Sequence, residues 1–286
     1  MASTPAAKCS YPDEFLRHIP KADLYIHLDG SIRVSTLIEI ALEQDVSLPS
    51  YNVAKLIALV FPATYSSLED YLTSFSYITA VLRTPAALER VNYEVATDAF
   101  HIGVRYIELR FAPQLHALPG SLSVSSVLRA VDRGMLRAVR EADAGDAESV
   151  THSGGAGNTD THTALEHDYG IITCAMRFFL PSTSPYYKQL WDLHTGEDPH
   201  RVFGLASMAL ATAVKEVRKS GSGAFVHNDD DGDRNAASAS TLTAPAGRLA
   251  VDPPEDRFTP VVTLDVAGAE AGFPASDHAE AFALAH

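Results

Sequence analysis

The chain has 286 residues, of which 46% are hydrophobic and 20% charged, and its formal net charge is −14. This length is enough for one large domain or two small ones, and the composition is that of an ordinary globular protein. The negative charge argues against nucleic acid or an anionic membrane surface as the main partner, and leaves a small neutral substrate open.

Cysteine usage and the N-terminal sequence favour a cytoplasmic protein. The two cysteines, Cys9 and Cys174, lie far apart in the sequence, so a disulfide framework is not expected and a reducing compartment is the default. Residues 1–15 contain no apolar core long enough for a signal peptide. No stretch approaches the ~18 apolar residues of a membrane helix.

The first half of the chain alternates between strand and helix patterns. A buried strand is predicted over residues 22–29, and a second over residues 104–113, which Pro113 ends. A long amphipathic helix is predicted over residues 122–142. Between the two strands, the spacing of apolar residues predicts three helices, over residues 32–44, 68–82 and 86–99.

The second half continues the alternation but contains two segments of low complexity. Residues 143–166 and 219–258 lose periodicity and are rich in small and polar residues, so we expect disordered insertions there. Strands are predicted over residues 169–181 and 259–268. Helices are predicted over residues 185–193, over residues 209–218 and from about Ala275 onward.

This order of elements predicts an α/β fold with a parallel sheet, since apolar strands that alternate with helices are buried on both faces. Each predicted strand carries a polar residue near its carboxyl end: Asp29, Arg110, Arg177 and Asp265. Ligands of α/β folds bind at that end of the strands. We therefore expect a binding site there.

The end of the first predicted strand holds the main candidate site residues. Side chains alternate along a strand, so Tyr25, His27 and Asp29 are expected on one face. A neutral imidazole at His27 is suited to hold a metal, and Asp29 to accept a hydrogen bond from a substrate hydroxyl. The alternative is structural, with His27 a satisfied core histidine and Asp29 a cap of the next helix.

The charged residues inside the later strands are better explained by a structural role than by a catalytic one. Glu108 and Arg110 are expected on one face of the second strand, and opposite charges in an apolar strand need partners. We expect a structural ion pair here, and a similar role for Arg177.

Five ordered blocks resemble the adenosine deaminase family. They read KADLYIHLDGS, GVRYIELRFAPQLH, ITCAMRFF, RVFGLASMALA and VVTLDVAGAEAGFPASDHAEAF. They cover most of residues 16–286 outside the two low-complexity segments. The LDGS and AGAEAG sequences resemble adenosine deaminases more than the adenine or AMP deaminase branches.

The resemblance implies a TIM-type (β/α) barrel of eight strands with one zinc ion at its carboxyl-terminal mouth. It implies hydrolysis of adenosine or deoxyadenosine by a zinc-bound hydroxide, which releases ammonia. By position in the motifs, His27 matches a metal histidine and Asp29 the residue that holds the ribose 5′-hydroxyl. Gly268 matches the glycine whose backbone amide meets the purine.

Two departures from the family pattern shape the expectation. Tyr25 occupies the place of the other metal histidine of the first strand, and a phenol with a pKa near 10 is a poor zinc ligand at neutral pH. The later blocks, including His-Ala-Gly-Glu and Asp-Asp, are not found in the sequence. We therefore expect about four of the eight strands, from a truncated product or a fragment that is unstable alone or needs a partner.

Three functional hypotheses follow. The first is a purine nucleoside deaminase represented by its N-terminal part, whose 286 residues alone show no turnover. The second is a non-catalytic family member that binds adenosine through Asp29 and Gly268 without the metal. The third is an inert relic of the family.

Overall fold

The computed structural model describes residues 11–152, 166–220, 261–268 and 271–285. Its N-terminal part contains, in chain order, α1 (Asp13–His18), β1 (Lys21–His27), α2 (Leu28–Ser31), α3 (Val34–Glu43), α4 (Val53–Val60), α5 (Leu68–Val81), α6 (Pro85–His101), β2 (Val104–Phe111) and α7 (Val124–His152). The remainder contains β3 (Asp168–Met176), α8 (Pro185–Leu193), α9 (Pro199–Ser220), β4 (Val261–Ala267) and α10 (Ala279–Ala285). Short 3-10 turns follow β2 at Pro113–Leu115 and precede α10 at Ala275–His278.

The four strands form one sheet in the order β1-β2-β3-β4, and all three pairings are parallel. This confirms the predicted α/β fold with a parallel sheet. A flat sheet would place β1 and β4 about 14 Å apart, because neighbouring strands are separated by about 4.8 Å. Tyr25 on β1 nevertheless donates a hydrogen bond to Asp265 on β4, at 2.6 Å. The sheet is therefore curled, as in part of a barrel.

Strand β1 differs from the buried strand that its sequence predicts. Most of its residues are exposed, and Leu24 and Tyr25 have relative exposures of 60% and 48%. The physical reason is its position: among the described strands β1 lies at one edge of the sheet, whereas β2 and β3 are covered on both sides. An apolar sequence thus predicts a strand but not its place in the sheet.

The hydrophobic core lies between the sheet and the longer helices. It includes Leu88 and Val91 of α6, Leu128 and Val131 of α7, and Ile107 of β2, all nearly inaccessible to solvent. Helices α6 and α7 can approach each other closely because residue 134 of α7 is a glycine. A Cβ atom there would lie 2.3 Å from the backbone oxygen of Glu89.

Helix boundaries differ from the predictions in several places. Helix α7 continues to His152, so residues 143–152 of the predicted insertion over residues 143–166 are helical in the structure. The rest of that insertion up to residue 165, and residues 221–258 of the second one, lie outside the described residues. Strand β3 ends at Met176, five residues before the predicted end at 181.

Other helices were longer than predicted or not predicted at all. Helix α9 begins ten residues before the predicted start at 209 and ends at Ser220. The short helices α1, α2 and α4 were not predicted, since four to eight residues give too few turns for a clear periodicity. No helix in the described part of the chain combines the length and apolar character needed to span a bilayer.

Gly103 fixes the entry into β2. It adopts a positive φ of 89°, and a Cβ atom would lie 2.2 Å from the backbone oxygen of Arg17. Its carbonyl accepts a hydrogen bond from the backbone nitrogen of Lys21, at 3.0 Å. The segment from α1 to β1 thus packs directly on this glycine.

We expect Gly103→Ala to lower the free energy of unfolding by about 2–4 kcal/mol, because the substitution adds both backbone strain and a steric clash. Gly120→Ala is the matched control. Gly120 has a similar φ of 81°, but no atom lies within 4 Å of its added Cβ. The control should therefore cost only about 1 kcal/mol. Urea denaturation followed by circular dichroism measures both, and equal losses would contradict the steric argument.

Candidate functional site

The candidate site lies at the carboxyl ends of the four strands, which meet at one edge because the sheet is parallel. Strand β1 contributes Tyr25 and His27, and Asp29 follows in α2. Gly268 follows β4. The structure thus places the sequence-predicted residues His27, Asp29 and Gly268 at the same edge.

The end of β1 is irregular at Tyr25. This residue has a positive φ of 64°, and the pairing with β2 changes register between Asp23 and Ile26. A left-handed backbone at a bulky residue costs on the order of 1–3 kcal/mol and persists only where its surroundings hold it. The Tyr25 and His27 rings still lie side by side, with centroids 5.7 Å apart.

One polar side chain from each strand meets at this edge, and we call Tyr25, Arg110, Cys174 and Asp265 the strand-end cluster. Arg110 Nε donates to Asp265 Oδ2 at 2.8 Å, and its Nη2 lies 2.9 Å from Cys174 Sγ. The same Oδ2 accepts the Tyr25 hydroxyl at 2.6 Å. The Arg110 Cζ lies 5.0 Å from the centroid of the Tyr25 ring.

These contacts identify the partner of Arg110 in the predicted ion pair. Arg110 does form one, but with Asp265 of β4, 155 positions away in the sequence, and not with Glu108. Glu108 Oε1 instead accepts a hydrogen bond from the Tyr106 hydroxyl at 3.2 Å. The predicted ion pair thus takes its carboxylate from β4, and the Arg110 side chain reaches it across β3. Cys174 was missed as a site residue, because an apolar stretch gives no signal for a thiol that contacts an arginine.

The protonation states of the strand-end cluster follow from these contacts. The hydrogen bond to Asp265 raises the pKa of Tyr25, so its hydroxyl stays protonated. Burial alone would raise the pKa of Asp265, but the hydrogen bonds from Tyr25 and Arg110 outweigh it and lower that pKa. Burial raises the pKa of Cys174 to about 12, which keeps the thiol neutral.

His27 ends β1 and is largely exposed. Partial burial of its ring, and then the positive charge of Arg110, lower the pKa of the imidazole. His27 is therefore neutral at pH 7, and it is free to accept a proton or a hydrogen bond. It is not the satisfied core histidine of the structural alternative.

Asp29 differs from both of its predicted settings. It lies in the first turn of α2, whose N-cap position is His27, so Asp29 is not the cap of that helix. Among the described residues, its buried Oδ1 has no hydrogen-bond partner. Burial, only partly countered by Arg110, raises the pKa of Asp29 to about 6. A buried carboxylate oxygen with no partner is costly, and such an atom is suited to receive a ligand hydroxyl.

Gly268 follows β4 with a positive φ of 123°, a conformation that glycine adopts readily. It packs beside the β3 end, where Arg177 donates its backbone N–H to Ala267 at 2.7 Å. The Arg177 side chain donates to the carbonyl of Phe273 at 3.3 Å. These contacts hold the backbone at the β4 end in one position.

The donor set of the described residues does not fit zinc. Within the described ranges, no three His, Cys, Asp or Glu side chains lie close enough together to hold a metal ion. Tyr25 is a protonated donor, Cys174 a neutral thiol, and both oxygens of Asp265 already accept hydrogen bonds. Only His27 remains as a neutral nitrogen ligand.

Known proteins match the N-terminal part of the chain. The family model described as Adenosine deaminase matches residues 20–151, from β1 to α7. The adenosine deaminase of Shewanella pealeana is 45% identical over 126 residues, which make up 44% of this chain and 38% of that protein. Residues 20–151 are therefore similar to the adenosine deaminase family. The chain thus spans well under half the length of this adenosine deaminase.

Solved structures agree with the family in fold. The N6-methyl-AMP deaminase from Arabidopsis thaliana superposes with a TM-score of 0.52 at 18% identity, covering 96% of this chain and 56% of that one. A cog1816 amidohydrolase from Burkhoderia ambifaria, solved with bound Zn, gives a TM-score of 0.54 at 16% identity, covering 98% and 54%. These likenesses support the expected TIM-type barrel fold, of which the described residues form four parallel strands.

We expect Asp29→Asn to stabilise the protein above about pH 6 and to have little effect near pH 4. The folded state keeps the Asp29 proton up to about pH 6, whereas the unfolded chain loses it near pH 4. Wild-type stability therefore falls as the pH rises through this window, and the asparagine has no charge to bury. The gain above pH 6 should be about 1–3 kcal/mol in urea denaturation.

Asp98→Asn is the control, with the opposite sign. The hydrogen bond from Arg33 lowers the pKa of Asp98, so its ionised form stabilises the folded state at neutral pH. That variant should be less stable than the wild type at neutral pH, and the difference should vanish as the pH falls below about 4. A stability of Asp29→Asn that parallels the wild type at every pH would contradict the burial argument.

Proposed function

We propose that the chain carries the nucleoside-binding part of a purine nucleoside deaminase, with adenosine or deoxyadenosine as the substrate. The observation that carries this proposal is the buried Asp29 Oδ1, which has no partner and lies within the family match, at the carboxyl end of β1. The charge of −14 supports a small ligand over nucleic acid or a membrane surface. The two widely separated cysteines support a reducing, cytoplasmic location.

Asp29 is assigned to the ribose 5′-hydroxyl. A hydroxyl that donates to Oδ1 would satisfy the buried oxygen and favour the ionised carboxylate, so nucleoside binding should lower the raised pKa of Asp29. Gly268 is assigned to the purine through its backbone amide. Its positive φ and its position at the β4 end support that assignment, since a side chain would disfavour this backbone.

The reaction proposed for the whole enzyme is the conversion of adenosine and water to inosine and ammonia. In the adenosine deaminase family a zinc ion supplies the hydroxide for this reaction. The described residues contribute only His27 toward such an ion, so they account for nucleoside binding and not for the hydrolytic step.

A non-catalytic adenosine-binding protein is the second candidate. The observation that favours it is the hydroxyl of Tyr25, which is bound to Asp265 at the position where the resemblance places a metal histidine. The two candidates share the binding site and differ only in turnover. Binding and turnover are therefore measured separately.

We expect the 286-residue chain to bind adenosine in the presence of a metal chelator, as measured by isothermal titration calorimetry. Asp29→Asn should weaken this binding by about 10–100-fold, since hydrogen bonds to charged groups contribute about 1.5–3 kcal/mol. The affinity of the wild type should rise with pH up to about 6–7 and then level off, because ionised Asp29 is the better acceptor.

Asp23→Asn is the matched control for that titration. Asp23 is an exposed carboxylate of β1, the strand that leads into α2 and Asp29, and its loss should leave the affinity unchanged. No adenosine binding by the wild type, or equal losses in both variants, would contradict the proposed function.

We expect no release of ammonia from adenosine by the same chain, with or without added zinc, because the described residues offer one metal ligand. A coupled ammonia assay measures this. Binding without turnover is the expected outcome and fits both candidates for this length of chain. Conversion of adenosine to inosine would eliminate the non-catalytic candidate and would place further metal ligands among residues outside the described ranges.

A further inference from the structure

The strand-end cluster uses one side chain from each of the four strands. Tyr25 stands on β1, Arg110 on β2, Cys174 on β3 and Asp265 on β4. The sheet order separates β1 from β4 by two strands, and both are edge strands within the described part of the sheet. The hydrogen bond from Tyr25 to Asp265 therefore joins the two edges directly.

Asp265 is the centre of the cluster. Its Oδ2 accepts from the Tyr25 hydroxyl at 2.6 Å and from Arg110 Nε at 2.8 Å, while its Oδ1 accepts the backbone N–H of Val266 at 2.7 Å. Both oxygens are thus engaged inside the protein. A metal ion could use this carboxylate only by displacing the donors that hold it.

Arg110 sets the charge of the cluster. The residue is 9% exposed, and its guanidinium contacts Asp265, Cys174 and the face of the Tyr25 ring. A guanidinium stays positive at every accessible pH, and a second cation nearby would be repelled in this low-dielectric setting. The Tyr25 ring that Arg110 contacts lies beside the His27 ring, with the two centroids 5.7 Å apart.

The backbone of Tyr25 carries strain that the cluster explains. A left-handed tyrosine inside a strand persists only where surrounding contacts hold it. Here the hydroxyl and the ring are both engaged, by Asp265 and by Arg110. The strained conformation thus brings the phenol to β4.

We infer that the strand-end cluster is a metal-independent clamp, which joins the two edge strands and keeps divalent cations away from His27. The clamp holds the strand ends that precede Asp29 and Gly268. The clamp favours the non-catalytic candidate over hydrolysis by a zinc-bound hydroxide at His27. Its test uses no nucleoside, so its failure can be told apart from a failure of adenosine binding.

The first experiment measures metal on the full 286-residue chain. Zinc content after purification is measured by inductively coupled plasma mass spectrometry, and thermal unfolding is followed with a chelator and then with added zinc. We expect far less than one zinc per chain and the same unfolding midpoint in both conditions. Stoichiometric zinc that His27→Ala removes would overturn the inference. Zinc that remains bound in the His27→Ala variant is bound elsewhere, and such a result agrees with the inference that His27 binds no cation.

The second experiment removes one hydroxyl from the cluster. Tyr25→Phe should lower the unfolding midpoint by roughly 2–4 °C, since a hydrogen bond to a charged carboxylate is lost and the backbone strain stays. It should not create zinc binding, because Arg110 remains.

Tyr51→Phe is the matched control for that substitution. Tyr51 is a similarly exposed tyrosine whose hydroxyl donates to the backbone oxygen of Val46 at 3.2 Å, outside the cluster. Its loss should change the midpoint much less. Equal midpoints for the two variants would overturn the clamp. If Tyr25→Phe does not fold, the metal measurement on the wild type still decides the inference.

Discussion

The hydrogen bond between Tyr25 and Asp265 is the contact on which the arrangement of the site depends. It connects the first and last strands of a four-stranded parallel sheet, which are not neighbours in that sheet. Such a contact requires a curled sheet, and the curl gathers the carboxyl ends of the strands around one concave edge. His27, Asp29 and Gly268 all lie at that edge because their strands end there.

The charge of Arg110 gives this edge its chemical character. A buried guanidinium needs a carboxylate partner, and removing one member of such a pair costs about 3–5 kcal/mol because the other charge is left buried. Asp265 fills that role and is held by its other hydrogen bonds as well. The positive charge also favours a neutral His27. The resulting surface is suited to an uncharged, hydrogen-bonding ligand more than to a cation.

The match to the adenosine deaminase family and the local geometry carry different information. The family match extends over β1 to α7 and includes the segment with His27 and Asp29. The geometry shows that the neighbouring position, Tyr25, serves as a hydrogen-bond donor rather than as a metal ligand. At this strand end the carboxylate of Asp29 keeps an oxygen without a partner among the described residues, while nearby Tyr25 joins β1 to β4.

The sequence by itself determined the order of strands and helices, the parallel sheet and the position of Asp29 and Gly268 at strand ends. Local periodicity and the rule that parallel strands share one ligand edge are sufficient for these features. Only the tertiary structure decided that Arg110 pairs with Asp265 and not with Glu108, because the partners lie 155 positions apart and meet through the curl of the sheet. It also decided that Asp29 Oδ1 is buried without a partner among the described residues and that β1 is exposed. Burial and long-range pairing depend on which elements cover a residue, and no local sequence pattern contains that information.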